Sequence, residues 1–486
     1  MDNVLFFPVL TISTHFEIDL ELMMNEADSN NNVYYLFCNG ELSICDNNLS
    51  QSKMKCRECI RKRKRALRLM NKKNIYLIHL NNYKQTKNKY SLPDSINDIN
   101  SLKKLRVDSY NIGYAIASSL AKKLDESSFD DCKEQIMLLF SEAYSFYEYI
   151  KKIIIDYNIT KGYIFNARFC FSRAFFDAFL TKNVTVYNHD RGAAFNKYNI
   201  IENKLFHDID EYTRRVNALW DSEQDIALKK KIADDFFKRR YMGKATNFVS
   251  FTKEQNIHKL PDNLHLYKKI VVIYNSSQFE YDYVSDEYTY KFYNSQFDGI
   301  SKIVNSLKDY HDIGIFVREH PNQKNRNNYQ RAVLREIHSN NFHLIPAESD
   351  ISTYGLLLKA NVVITFNSTM GIEATYWGIP SILCTNAIYE KFNIAYQPSS
   401  HDEVINMILS DLKPIVSDDV LKYGYYNSVS GIDFKYYKPI DFYKGYFLGK
   451  NLHPQNFENI KKKIKWKFPH FYEFLKKILR NKRKNK

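Results

Sequence analysis

Several short polar runs in this chain hold the residue types that grip phosphates and move protons. Arg318-Glu319-His320-Pro321 places a guanidinium and an imidazole two residues apart. The planar fork of arginine suits a phosphate, and histidine titrates near neutrality. Asn367-Ser368-Thr369, with Glu373 one turn on, offers hydroxyls and backbone N–H groups at the start of a helix, where an anion is favoured. The same run also reads as a plain capping box, Thr369 with Ile372 and Glu373 in the first turn, which needs no ligand. Earlier, Asn166-Ala167-Arg168 and Asn188-His189-Asp190-Arg191-Gly192 gather acid, base and cation. Asp190 and His189 are acid/base candidates there, while Asn166, Arg168 and Arg191 suit hydroxyls or negative charge. Near the start stand His15 and Glu17, the histidine read either as a base or substrate contact or as a solvated loop side chain.

An alternation of short apolar strands and helices must position these residues. Strands are predicted at 4–10, 33–38, 74–80, 162–166 and 184–187, with helices at 18–27, 113–124 and 131–157. A second series follows: strands at 268–274, 313–317, 342–345, 361–365 and 380–383, with helices at 288–307, 327–339, 352–359 and 370–377. The strands at 361–365 and 380–383 are apolar on both faces, as buried parallel strands are. Polar residues fall where strands stop: Ser276 and Ser277, then Arg318 and His320, then Ser368 and Thr369. Pro321 ends its strand and presents His320 beyond the ladder. The pattern predicts an α/β protein with two doubly wound Rossmann-like domains, whose ligands sit at the carboxyl ends of the strands. The expected division is 1–260, 261–400, a helical segment 401–460 returning to the first domain, and a tail at 461–486.

The 486 residues carry a net charge of +15, unevenly spread. Residues 461–486 hold twelve Lys/Arg against one Glu. There Phe471, Phe474, Leu475, Ile478 and Leu479 share one helical face among lysines, the pattern of a helix lying on an anionic bilayer. Nucleic acid is not expected as a partner: the basic run 61–65 has no aromatic platform beside it. No apolar run is long enough to span a membrane, and the first residues lack a basic leader. The expected location is cytoplasmic, peripherally attached to the inner face of the membrane. Seven cysteines then fit reduced thiols. No metal is expected, with Cys38, Cys45, Cys56 and Cys59 kept as an alternative structural zinc site.

The ordered motifs Arg318-x-His320-Pro321, Asp350-x-Ser352-x-Tyr354, Asn367-Ser368-Thr369, Gly371-Ile372-Glu373-Ala374 and Gly378-Ile379-Pro380 together resemble the bacterial capsule and lipopolysaccharide polysaccharide-biosynthesis glycosyltransferases. His15-x-Glu17, Asn166-x-Arg168 and His189-Asp190-Arg191-Gly192 are similar to members of the same group. The resemblance implies a GT-B fold, two such domains facing a cleft. It implies a nucleotide-sugar donor held in the second domain by Ser276, Ser277, Arg318, His320, Asn367, Ser368, Thr369 and Glu373. A glycan or lipid-linked acceptor would meet Asn166, Arg168, His189 and Arg191. Asp190, His15 and Glu17 are the catalytic candidates, and no cofactor is required, because basic side chains and helix ends neutralise the leaving phosphate. A polyol-phosphate transferase of the teichoic-acid type and a non-catalytic membrane- or nucleic-acid-binding protein are the alternatives.

Overall fold

A computed structural model of the chain describes residues 1–83, 90–244, 250, 252–253, 255–277, 281–324, 329–441 and 443–452. The amphipathic tail expected at 461–486 lies outside them.

The first lobe is built from β1 (Asn3–Phe6), α1 (His15–Asp28), β2 (Asn32–Phe37), α2 (Lys53–Met70), β3 (Ile75–His79), α3 (Ile99–Lys104), α4 (Ile112–Glu126), α5 (Phe129–Asp156), β4 (Lys161–Phe165), α6 (Cys170–Thr181), β5 (Thr185–Arg191) and β6 (Lys197–Glu202). Its sheet runs β3-β2-β1-β4-β5-β6, parallel until β6 turns back antiparallel on β5. Apolar side chains cover both faces. One core gathers Leu5, Leu36, Phe146 and Phe171, the other Phe6, Phe16, Met23 and Tyr35.

Two helices, α7 (Ile209–Ser222) and α8 (Ile226–Tyr241), lead into the second lobe. It comprises β7 (Lys269–Tyr274), α9 (Gln296–Leu307), β8 (Ile313–Arg318), α10 (Tyr329–Arg335), β9 (Phe342–Ile345), α11 (Thr353–Leu357), β10 (Val362–Thr365), α12 (Met370–Tyr376), β11 (Ser381–Leu383) and α13 (His401–Leu409). All five strands are parallel, in the order β11-β10-β7-β8-β9. The chain then returns through α14 (Asp419–Val429) to β12 (Ile432–Asp433), which joins the first sheet beside β6. A hairpin of β13 (Tyr437–Pro439) and β14 (Gly445–Phe447) follows, whose Tyr437 and Phe447 pack in the core around α1.

In each lobe the strand order reverses direction between the first and fourth strands, β1/β4 and β7/β10. Connections there leave to opposite sides of the sheet and open a crevice at the carboxyl edge. Both crevices have an asparagine in the left-handed region at the turn after the fourth strand, Asn166 (φ 56°) and Asn367 (φ 68°). Asparagine tolerates that conformation better than most residues. Gly371 is required by close packing, because a Cβ there would lie 2.7 Å from the Tyr389 hydroxyl and 2.9 Å from Thr365 Oγ1.

Four expectations need correction. Residues 14–17 form the cap and first turn of α1, with no loop, because Phe16, Ile18 and Leu20 are all fully buried. Residues 188–191 continue β5, since β6 supplies them with a pairing strand. The stretch 434–450 is hairpin and turn, its aromatic residues favouring strand. Helices α7 and α8, assigned to the first domain, place Val216, Phe236 and Phe237 in one core with Ile372, Leu383 and Tyr389 of the second lobe.

Candidate active site

A cavity of about 470 Å³ opens at the carboxyl edge of the second sheet and is lined from the first lobe by Arg191. Asn275, His320, Ser368 and Thr369 line it from the ends of β7, β8 and β10, and Arg240 and Lys244 line it from the end of α8. Arg191, Arg240, Lys244 and His320 line it, with Arg318 at its border, against one acid, Glu319. That acid is itself spent: it is buried, pairs with Arg331 at 3.0 Å and accepts from the Ala347 N–H at 2.8 Å. The cavity is suited to an anion.

His320 is held in a fixed orientation. Its backbone N–H donates to Asn275 Oδ1 at 2.7 Å, and its Nδ1 accepts from the Asn322 N–H at 3.2 Å. The ring proton is thereby assigned to Nε2, which makes that nitrogen a donor to an anionic oxygen. Ser368 and Thr369 line the cavity as expected, but the helix behind them, α12, has only seven residues. Thr369 makes no side-chain cap, and the Gly371 and Ile372 N–H groups already bond to the Ser368 and Thr369 carbonyls. The hydroxyls, more than a helix dipole, are what this edge offers.

Other donor-site assignments are revised. Arg318 is 2% exposed, and its guanidinium donates to the carbonyls of Pro346 and Ser349, so it braces the loop after β9 while only bordering the cavity. Ser277 donates to Asn322 Oδ1 at 2.7 Å, and Ser276 exchanges two 3.0 Å hydrogen bonds with Gln296. Both serines are buried behind the edge and support it. Asn367 is buried as the turn residue. Glu373 is 1% exposed and reaches no sugar: its Oε1 accepts from Arg240 Nε at 2.9 Å and Nη2 at 2.7 Å, and its Oε2 from the Tyr354 hydroxyl. Burial opposes the charge of Arg240, and Glu373 more than restores it, raising its pKa above the ordinary value. Glu373 is thus the anchor of a cavity arginine.

Across the cleft, His15 Nδ1 lies 3.6 Å from Asp190 Oδ1, and the His15 ring packs on Phe165 with centroids 4.0 Å apart. Asp190 is fixed by Asn166 Nδ2 at 2.6 Å and by the Arg191 N–H at 2.7 Å. Arg168 stacks over Phe169 at 4.7 Å. Glu17 and His189 are not at this surface. Glu17 is 2% exposed and pairs with Lys62 at 2.9 Å; His189 is fully buried and bonds Asp19 Oδ1 at 2.7 Å. Both are turned inward because α1 is covered on all sides, and each finds a polar partner there. Lys62 and its neighbour Arg63 are likewise buried.

Two residues were missed. Arg240 closes the run Lys238-Arg239-Arg240, and nothing in that run marks which cation turns inward. His207 precedes a charged helix and feels both Arg168 and Asp190. Burial pushes His207 down to about 3, with Arg168 adding and Asp190 opposing. Burial also pushes His15 down to about 4, against the pull of Asp190. Both histidines are neutral at pH 7.

A pH dependence follows. The unfolded histidines take up protons below their ordinary value of 6.5, while the folded ones resist until about 4 and about 3. The unfolded state therefore binds more protons in that window, and stability falls as pH drops from 6.5 towards 4. Each fully separated histidine contributes a slope of about 1.4 kcal/mol per pH unit. Urea unfolding at pH 7, 6 and 5 should show the loss, and the His15→Asn variant should show a shallower one.

Cys38, Cys45, Cys56 and Cys59 line one small cavity beside Arg63 as free thiols. Among the described residues no three His, Cys, Asp or Glu side chains are grouped to hold a metal ion. Among the same residues no helix is long and apolar enough to cross a membrane.

Two facing doubly wound lobes with a cationic cavity between them define a GT-B-like α/β protein. Residues 197–413, from β6 through the second lobe, match the family of capsule polysaccharide biosynthesis proteins, which bears out the resemblance read from the second-lobe motifs. No curated protein matches the chain. Similar solved structures include KpsC of Thermosulfurimonas dismutans, a β-Kdo 2,4-transferase, at 12% identity over 55% of this chain and 79% of that one, TM-score 0.37. The UDP complex of MnaA from S. aureus is 10% identical over 89% and 93%, TM-score 0.29. UDP-GlcNAc 2-epimerase from Neisseria meningitidis is 11% identical over 87% and 97%, TM-score 0.27.

Proposed function

We propose that this protein is a glycosyltransferase of surface-polysaccharide assembly that moves a sugar from a nucleotide-activated donor to a glycan or lipid-linked acceptor. The observation that carries the reading is the Asp190–Arg191 pair: Arg191 lines the cationic cavity while Asp190 engages His15. Adjacent residues of one strand thus join an anion pocket to an acid/base pair. The donor's phosphate lies against His320 Nε2–H, Arg240 and the Ser368 and Thr369 hydroxyls. With Asp190 on the Nδ1 side, His15 uses Nε2 to take the acceptor hydroxyl's proton as that oxygen attacks the anomeric carbon. The bond from that carbon to the phosphate oxygen breaks, and Arg191, Arg240 and Lys244 neutralise the departing charge. The 3.6 Å gap between His15 and Asp190 tightens once the acceptor excludes water.

The first test is thermal stability with UDP, CMP, CDP or GDP. A nucleotide at a hundred times its Kd stabilises the folded state by about 2.7 kcal/mol, so one of the four should raise the Tm measurably. The His320→Ala variant, folded as judged by its unperturbed circular dichroism, should bind that nucleotide about tenfold more weakly. No stabilisation by any of the four, or unchanged binding by the variant, would overturn the reading.

A further inference from the structure

The β13–β14 hairpin presents two unlike faces. Pairing of Tyr437 with Phe447 and of Lys438 with Tyr446 sends alternate residues to opposite sides. Tyr437 and Phe447, with the following Leu452, are buried against the first lobe. The other face carries Lys438 and Tyr446, and the turn adds Ile440, Tyr443 and Lys444. Ile440 and Tyr443 are each 57% exposed and Tyr446 is 44% exposed. The Ile440 N–H donates to the Lys444 carbonyl at 2.8 Å. Between residues 437 and 452 there are three lysines and one acid, Asp441.

We propose that this hairpin face docks on an anionic bilayer, with Ile440, Tyr443 and Tyr446 entering the interfacial layer and Lys438 and Lys444 meeting lipid headgroups. Three separated apolar side chains amid lysines are too small a patch for a stable protein interface. An aliphatic and two tyrosine rings beside ammonium groups match the chemistry of the membrane–water boundary. Two further observations favour a bilayer. The hairpin leads through Leu452 into residues 453–486, whose last 26 residues hold twelve Lys/Arg against one Glu, so two basic segments are contiguous in the chain. Tyr443 also lies under the Arg191 guanidinium, 5.9 Å from ring centroid to cation, which puts the docking face at the first-lobe rim of the cleft. A lipid-linked acceptor would then reach His15 from the membrane side.

The test uses the full chain in vesicle flotation, comparing phosphatidylcholine with phosphatidylcholine containing about 30 mol% phosphatidylglycerol. Binding is expected only to the anionic vesicles. The Ile440→Glu/Tyr446→Glu double variant should bind them about tenfold more weakly, with its nucleotide-induced Tm shift unchanged as proof of folding. Undiminished vesicle binding by the variant would overturn the proposal, because the tail alone would then suffice. Loss of self-association in light scattering with vesicle binding intact would also overturn it and identify a second copy as the occupant. Vesicle binding is read without substrate, so its failure leaves the transferase reading to its own nucleotide test.

Discussion

Replacing Asp190 by Asn is expected to lower turnover by about 10²- to 10⁴-fold, the range spanned by general acid–base catalysis, while nucleotide binding stays within about twofold. The asymmetry comes from where the carboxylate sits. Asp190 faces His15 and is held by Asn166 and its own strand's N–H, whereas the donor cavity is lined by Arg191, Arg240 and His320. An amide at 190 no longer stabilises the imidazolium that forms as the proton transfers, yet it leaves the cavity's charge untouched. The acid limb of kcat/KM carries a second signature. With His15 held near 4 by burial, activity should persist well below the 6.5 of an ordinary histidine. An Asp190→Asn enzyme with wild-type turnover would exclude this dyad as the base.

The Glu373→Ala variant should show the largest loss of stability, about 3 kcal/mol, because removing one partner strands a mostly buried guanidinium. Arg240 retains 26% exposure while Glu373 has 1%, so water relieves part of the penalty and the value falls at the low end for buried pairs. The urea midpoint is the measurement. A double-mutant cycle separates stability from fit: Glu373→Ala/Arg240→Ala should recover part of the lost stability, since no unpaired charge remains, without recovering nucleotide affinity. Equal losses in single and double variants would mean that Glu373 acts through packing alone. Tyr354 shares the same carboxylate, so Glu373→Gln, which keeps the volume and an acceptor, should be the milder change.

Much of the second lobe was legible from local chemistry. Strand β9 falls at 342–345, where the apolar run places it, and β10 and α12 lie within a residue or so of the expected bounds. Pro321 marks the turn that follows β8, and the polar edge after each strand was visible in residue type. His320, Ser368 and Thr369 do line the cavity.

What the sequence by itself determined, then, was the alternation of strand and helix and the edge on which polar groups collect, because those follow from periodicity and turn chemistry within about ten residues. Which of those groups meet the cleft was decided only by tertiary structure. Glu373 is consumed by an arginine 133 positions away and His189 by an acid 170 positions away, while Glu17 faces Lys62 inside the lobe. A buried charge must find an opposite partner wherever the fold brings one within reach, and no local pattern encodes that partner. The same reason hid Arg240 and His207: their roles exist only where α8 and the end of β6 are carried to the crevices that reversal of strand order opens.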